Sequence, residues 1–391
     1  MIRATVASLI AALLATQLAG CGMKQAVSNY MSGEDNSVPP EPLVEFQPLV
    51  QVAEGWSTRL GKGADEQFLK LIPQVVNDRV YTAERRGRVA ALDAASGKQI
   101  WEQDVDVPIS GGPGIGDGLV LVGTTDGEVL ALDEGGGKLL WRAPVTSEVL
   151  SAPQAAAGVV VVHTGDGKVN GLDAATGKRV WIHDRTSATL TLRGSSSPVV
   201  VRDLAIVGFD NGRLVALELK SGKPVWETAV AVASGRSDLE RMVDIDAELL
   251  VRGETLYVAT FQGRVAAIEI ESGRLLWSRE ISSYAGLAAD DHALYLTDSE
   301  GMVWSLDRDS GAAYWKQDKL KARASTAPAA VGEYVIVGDI EGYLHWLRRE
   351  DGQFAARARI DSSRIIAPPV ANGGILYAYS TSGVLAAFLT R

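Results

Sequence analysis

The chain has 391 residues, with 38 Lys and Arg, 48 Asp and Glu, a net charge of −10 and a single cysteine. This acidic balance argues against nucleic acid and anionic lipid surfaces as partners held by charge. The lone cysteine, Cys21, excludes an intrachain disulfide.

The first twenty residues have the form of a secretory signal. A short positive start at Arg3 is followed by an apolar stretch to Leu18 and by small residues before Cys21. This stretch is too short to cross a bilayer comfortably, so residues 1–20 predict a signal peptide and not a transmembrane helix. The sequence LAGC that ends at Cys21 is similar to the bacterial lipobox, which implies cleavage before Cys21 and its lipidation. The alternative is a soluble secreted protein with a free thiol.

Residues 21–44 mix Ser, Asn, Pro and acidic residues, a composition that predicts a lipidated flexible tether. Gly22 stands where inner-membrane lipoproteins commonly have Asp, so the lipobox resemblance implies the periplasmic face of the outer membrane. Removing residues 1–20, which hold one Arg and no acid, changes the net charge from −10 to −11. The lipid, and not charge, is therefore expected to hold the protein at the membrane.

A sequence phrase of about forty residues recurs through residues 45–391, which we predict to be one domain. Each copy begins with Gly and continues with an alternating apolar run and an acidic residue. A second Gly follows the first by ten residues in all seven full copies, and Trp follows it by fourteen in six, whereas the seventh copy has Ala356. The copies begin at Gly87, Gly127, Gly167, Gly212, Gly263, Gly301 and Gly342, with a shortened eighth at Gly383.

Each copy reads as four short antiparallel strands separated by turns. In the second copy, the turn pairs Asp117-Gly118 and Asp126-Gly127 flank the β-branched run 119–124. One such sheet buries too little apolar surface to be stable, whereas a ring of sheets covers both faces of each. We therefore predict an all-β, eight-bladed β-propeller of four-stranded antiparallel blades. An N-terminal strand within residues 49–60, which carries Trp56, is predicted to complete the last blade and close the ring.

Motifs for catalysis are absent from the sequence. The four histidines have no metal-ligand spacing, and the Gly-Lys pairs lack the Ser or Thr that a phosphate-binding loop requires. The recurrent acids, such as Asp93 and Asp133, precede hairpin turns, where Asp accepts hydrogen bonds from nearby backbone amides. The sequence therefore predicts no catalytic residue, no metal site, no cofactor and no enzyme activity.

The repeat loses its period at two consecutive places. The intervals between first glycines lengthen to 45 and 51 residues, and the extra residues fall after Trp181 and after Trp226. Both insertions are connections between blades, so we predict two long loops side by side on one face. Their exposed apolar residues and Arg are typical of a binding hot spot on a rigid scaffold. The alternative is an internal pairing of Arg193 with Asp244 or Asp246.

The lipobox, the eight repeats, and the LTLRG and DID loop sequences together resemble the BamB family. Members are periplasmic lipoproteins of the outer-membrane β-barrel assembly machinery, and the resemblance spans essentially the whole chain. It implies a non-catalytic scaffold that binds the POTRA domains of BamA and assists nascent outer-membrane proteins, as a monomer within a hetero-oligomeric complex. The positions that match the family's binding loops are Leu190, Leu192, Arg193, Asp244 and Asp246.

Two other functions share this repeat. Quinone (PQQ)-dependent dehydrogenases resemble the chain in repeat and compartment, but they typically carry an adjacent cysteine pair, and no cysteine follows Cys21 here. A propeller that binds cell-wall glycan or another envelope component is the other alternative.

Overall fold

The structure is a computed structural model that describes residues 38–65, 67–184, 194–234, 236–237 and 240–390. Residues Pro40–Arg391 form one compact unit. The signal sequence and Cys21 lie outside the described residues. Across the ranges that are described, no helix has the length and apolar character needed to cross a membrane.

The described residues form eight four-stranded antiparallel sheets. In seven of them the four strands follow one another along the chain, and the eighth combines the first strand of the domain with the last three. Blade 1 contains β2 (Gln74–Val76), β3 (Arg79–Ala83), β4 (Arg88–Asp93) and β5 (Gln99–Asp104), and blade 2 contains β6 (Ile109–Gly116), β7 (Leu119–Thr124), β8 (Glu128–Asp133) and β9 (Leu139–Pro144). Blade 3 contains β10 (Gln154–Ala156), β11 (Val159–His163), β12 (Val169–Asp173) and β13 (Arg179–His183), and blade 4 contains β14 (Val199–Val201), β15 (Leu204–Gly208), β16 (Arg213–Glu218) and β17 (Pro224–Ala229). Blade 5 contains β18 (Leu250–Arg252), β19 (Thr255–Ala259), β20 (Val265–Glu269) and β21 (Leu275–Arg279), and blade 6 contains β22 (Gly286–Ala289), β23 (Ala293–Thr297), β24 (Val303–Asp307) and β25 (Ala313–Gln317). Blade 7 contains β26 (Ala329–Val331), β27 (Tyr334–Gly338), β28 (Tyr343–Arg348) and β29 (Phe354–Arg359), and blade 8 contains β30 (Val370–Asn372), β31 (Ile375–Tyr379), β32 (Val384–Thr390) and β1 (Val52–Arg59).

The ring closes between the two ends of the domain. Strand β1 pairs antiparallel with β32, from Val52 opposite Thr390 to Arg59 opposite Val384, with an irregularity between Glu54 and Trp56. The predicted eight-bladed propeller, and its closure by an N-terminal strand, are therefore confirmed.

The apolar core lies between neighbouring blades. Leu121 of blade 2 and Val160 of blade 3, for example, are fully buried in one cluster. The recurrent Trp occupies the outer part of the same boundary, and its indole Nε1 donates to a backbone carbonyl of the next blade at 2.7–3.1 Å. The seven pairs are Trp56–Ala94, Trp101–Glu134, Trp141–Ala174, Trp181–Leu219, Trp226–Ile270, Trp277–Arg308 and Trp315–Arg349.

The second glycine of each repeat is the partner of this Trp. A Cβ placed on Gly177 would lie 2.7 Å from Cε3 of Trp141, and the φ of Gly177 is +71°, a region that L side chains rarely adopt. The Gly ten residues into a copy and the Trp of the preceding copy are therefore one packing unit.

The seventh copy lacks this Trp because of how the ring closes. Blade 8 takes its fourth strand from β1, so no hairpin turn between its third and fourth strands can receive an indole from blade 7. Ala356 is accordingly buried without a bulky side chain. Trp346 on β28 is fully buried instead, and its Nε1 donates to Oγ1 of Thr390 in blade 8 at 3.2 Å.

The chain that precedes β1 runs along the outer strand of blade 7. The Glu41 amide donates to the Lys321 carbonyl at 3.1 Å, and the Leu49 amide donates to the Ala355 carbonyl at 2.8 Å. Phe46 stacks on Phe354 with ring centroids 5.5 Å apart. Among the described residues, Glu41 thus contacts the propeller from within the segment predicted to be a tether.

Two arginines hold this preceding chain. Arg323 is buried beside Asp339 at 2.7 Å and donates to the Glu41 carbonyl at 2.8 Å. Arg357 donates to the Val44 carbonyl at 3.0 Å, and its guanidinium lies 5.1 Å from the centre of the Phe46 ring. Since charge-assisted hydrogen bonds are stronger than neutral ones, these contacts fix residues 41–46 against blade 7.

We expect Trp181→Ala to lower the free energy of unfolding by about 3–5 kcal/mol, because it opens a cavity between blades 3 and 4. It also leaves the Leu219 carbonyl without its indole donor. Urea unfolding followed by circular dichroism measures this change. Val180→Ala is the matched control, since Val180 is 54% exposed, and should alter stability by less than about 0.5 kcal/mol. Equal unfolding midpoints for the two variants would contradict the role given to the indole.

Candidate protein-binding face

The long connections all emerge on one face of the ring. Strand direction alternates within a blade, so the connections between blades share a face with the turns that follow each second strand. We call this the loop face; its connections include residues 60–73 before blade 1, 184–198 before blade 4 and 230–249 before blade 5.

The two connections that lengthen the repeat contact each other at their bases. The Ser196 amide donates to the Ile245 carbonyl at 3.3 Å. The Ser197 amide donates to Oε2 of Glu248 at 3.0 Å, and the Ser197 hydroxyl donates to Oε1 at 3.1 Å. The predicted side-by-side placement of the loops is therefore confirmed.

Three of the predicted binding residues belong to the first loop. Leu190, Leu192 and Arg193 lie outside the described residues, so their binding role stays a prediction. The description resumes at Gly194, where an added Cβ would lie 3.2 Å from Oδ1 of Asp246. The end of the first loop thus lies directly against the second.

The second loop has an exposed part and a buried part. Val232 is 77% exposed, whereas Met242, Val243 and Ile245 are buried, and Ile245 packs so closely on Gly208 that no side chain would fit there. Alternation of apolar residues through this second part draws it into the boundary between blades 4 and 5.

Asp244 and Asp246 lie in the buried part, at 1% and 6% exposure. The exposed apolar side chains expected in this loop therefore do not include Met242, because the apolar residues around it draw this part of the loop inward. The near-continuous run Met242, Val243, Ile245 and Ala247 is the sequence signal that could have revealed it. A role of the two aspartates in binding stays a prediction. The exposure of Val232 was not predicted, because its sequence context is not distinctive.

Lys70 reaches the second loop from the connection that precedes blade 1. Its Nζ donates to the Asp246 carbonyl at 3.2 Å and to the Tyr284 carbonyl at 2.9 Å. Burial raises the pKa of the Asp246 carboxyl to about 6, although the Lys70 charge opposes the shift. Burial likewise raises the pKa of the Glu248 carboxyl, against the effect of Lys70 and of the hydrogen bonds from Ser197.

The ring surrounds a cavity of about 420 Å³. Prolines of the inner strands, including Pro198, Pro328 and Pro369, line it together with apolar residues, and Lys70 and Glu248 supply charge. Within the described ranges, no group of three His, Cys, Asp or Glu side chains could hold a metal ion.

The sequence and fold have close relatives among known proteins. A family model described as outer membrane protein assembly factor BamB matches residues 53–111 and 85–317. The chain is 44% identical over 381 residues to outer membrane protein assembly factor BamB of Pseudomonas aeruginosa, across 97% of this chain and 98% of that protein. The chain belongs to the BamB family. Members of this family are non-catalytic assembly factors, and this protein is not an enzyme.

Solved structures agree with the assignment. The crystal structure of BamB from Moraxella catarrhalis has a TM-score of 0.79 at 28% identity, covering 87% of this chain and 100% of that one. A quinohemoprotein alcohol dehydrogenase from Pseudomonas putida has a TM-score of 0.67 at 15% identity, covering 88% of this chain and 76% of that one. At this level of identity the second likeness shows the propeller fold alone.

A buried histidine beneath the BamB loop face makes stability depend on pH. His163 packs edge-on against Phe209 with ring centroids 5.3 Å apart. Burial lowers its pKa to about 4, while a backbone hydrogen bond with Ser196 and the charge of Asp166 oppose the shift. Because the unfolded chain takes up this proton near pH 6.5 and the folded chain does not, the folded state loses stability as the pH falls from about 6.5 to about 4.

We expect this protonation to lower the free energy of unfolding by about 3 kcal/mol between pH 6.5 and pH 4. Urea unfolding across this pH range measures it. His163→Gln, which has no charge to gain, should remove about that much of the decrease. The exposed His292→Gln should keep the wild-type slope, and identical slopes in both variants would refute the assignment to His163.

Proposed function

We propose that this protein is a lipid-anchored scaffold on the periplasmic face of the outer membrane that binds the POTRA domains of BamA through its loop face. In this role it assists the folding and insertion of nascent outer-membrane β-barrel proteins, as a monomer within a hetero-oligomeric complex. The near-full-length match to outer membrane protein assembly factors supports the general role. The proposed binding site is formed by the two long loops.

The observation that carries the proposed site is the contact between the two long connections. Their bases are joined by the hydrogen bonds from Ser196 to Ile245 and from Ser197 to Glu248. Elsewhere the repeat keeps a nearly constant period, so these insertions are additions to a ring that is complete without them. A rigid ring that holds adjacent long loops provides a preformed surface, which lowers the ordering cost of binding.

The two parts of the second loop have different roles in this proposal. We infer that Leu190, Leu192 and Arg193 of the first loop make the direct contacts, and that the exposed part of the second loop around Val232 adds to them. Asp244 and Asp246 are too deeply buried to meet a partner with their side chains in this conformation, so they act by supporting the loop from below.

We expect Arg193→Glu to abolish capture of the BamA POTRA region in a pull-down with purified proteins, because charge reversal at a central interface residue commonly costs more than about 2 kcal/mol. The circular dichroism spectrum and thermal midpoint should match wild type. Lys178→Glu is the control, since it makes the same charge change at an exposed turn on the opposite face.

The outcomes separate the site from the function. Capture by wild type and by Lys178→Glu, but not by Arg193→Glu, supports both. Equal capture by all three proteins would remove Arg193 from the site. No capture by wild type would overturn the proposed partner itself.

The proposed anchor is lipid on Cys21. We expect Cys21→Ser to move the protein from the membrane fraction to the soluble fraction of cells, because the acidic propeller has no electrostatic attraction to an anionic surface. Fractionation and immunoblotting measure this, with Ser28→Ala in the tether as the control. Retention of Cys21→Ser in the outer-membrane fraction at the wild-type level would refute anchoring through this residue.

A further inference from the structure

The connection between β1 and β2 reaches across the loop face. Leu69 and Leu71 are buried in the core cluster that includes blade 1, whereas Lys70 between them faces the other way. Its Nζ bonds the carbonyl of Asp246, before blade 5, and that of Tyr284, before blade 6. In a ring of eight blades, blade 5 stands opposite blade 1. The Lys70 side chain therefore links two sides of the cavity that the ring surrounds.

The backbone that Lys70 holds lies next to the residue that joins the two loops. Lys70 holds the backbone at Asp246, two residues before Glu248, and Glu248 accepts both the amide and the hydroxyl of Ser197. The Ser197 oxygen in turn accepts a hydrogen bond from the amide of Ala152, just before blade 3, at 3.1 Å. These contacts therefore connect the segment between β1 and β2, through the second loop, to the first loop and to the connection before blade 3.

The charges along this set of contacts depend on one another. Asp246 and Glu248 are two carboxyls drawn out of water, and burial raises the pKa of both. The Lys70 ammonium favours their charged forms, while burial lowers its own pKa. Removing one partner from such a group leaves the rest uncompensated, which is costly in a poorly solvated site.

We propose that Lys70 is a positioning residue that holds the bases of both long loops in place, although it belongs to neither loop. The inference rests on the proposed function only for its consequence, namely that the loops held in this way are those that meet the partner. Lys70 acts through the Asp246 backbone and through Glu248, and it does not itself touch the partner.

Hydrogen exchange on the full chain tests the positioning role without any partner. In Lys70→Met, which keeps an apolar stem but removes the donors and the charge, the amides of residues 195–197 and 244–249 should exchange at least about tenfold faster than in wild type. Amides of blades 7 and 8, far from these contacts, should keep their protection. Lys62→Met is the control, because Lys62 is an exposed lysine of the same connection.

A second variant guards against simple misfolding. Lys70→Arg retains the charge and donors, and it should restore most of the protection in residues 195–197 and 244–249. If Lys70→Met loses protection throughout the ring, Lys70→Arg decides the question, because wild-type protection of these two segments in that variant supports the proposal. If Lys70→Met and Lys62→Met exchange alike at both segments, or if Lys70→Arg rescues neither, the proposal is overturned.

Binding of the BamA POTRA region is the second readout. Lys70→Met should weaken it about tenfold, in step with the faster exchange of the loops. Faster exchange with unchanged affinity would overturn the functional part of the inference. If wild type does not bind POTRA domains at all, the proposed function fails, and the exchange measurements still decide whether Lys70 positions the loops.

Discussion

The whole ring depends on a tryptophan of one blade entering a glycine turn of the next. A four-stranded sheet of about forty residues has two apolar faces and cannot be stable alone. The indole covers the outer part of the boundary between blades, and its Nε1 bonds a carbonyl at the start of the neighbouring turn. Glycine is required at that turn because any Cβ would overlap the ring. Seven of the eight boundaries between blades are fixed by this contact, and the boundary between blades 7 and 8 is the exception.

This constraint explains both the regularity of the chain and its exceptions. The fixed offsets between Gly and Trp made the eight-bladed ring readable from sequence, and Trp56 outside any full copy indicated the closing strand. Ala356 stands in place of the Trp in the seventh copy as a consequence of ring closure. Blade 8 has no hairpin turn between its third and fourth strands to receive an indole, and the contact of Trp346 with Thr390 replaces it.

The parts that sequence reasoning missed are contacts without a period. Lys70 lies 176 residues from Asp246, and nothing in its neighbours indicates that the two meet. Arg323 and Arg357 bind the backbone at Glu41 and Val44 through carbonyls, which leave no trace in residue type. The apolar residues beside Asp244 and Asp246 decide the packing of the second loop, and they bury both aspartates.

Ring closure also makes the two ends of the domain depend on each other. The strands that seal the propeller, Val52–Arg59 and Val384–Thr390, are separated by almost the whole length of the domain. Loss of either strand would leave blade 8 with an unpaired strand edge. Because exposed strand edges can pair with other chains, the closed ring also protects the protein against edge-to-edge aggregation.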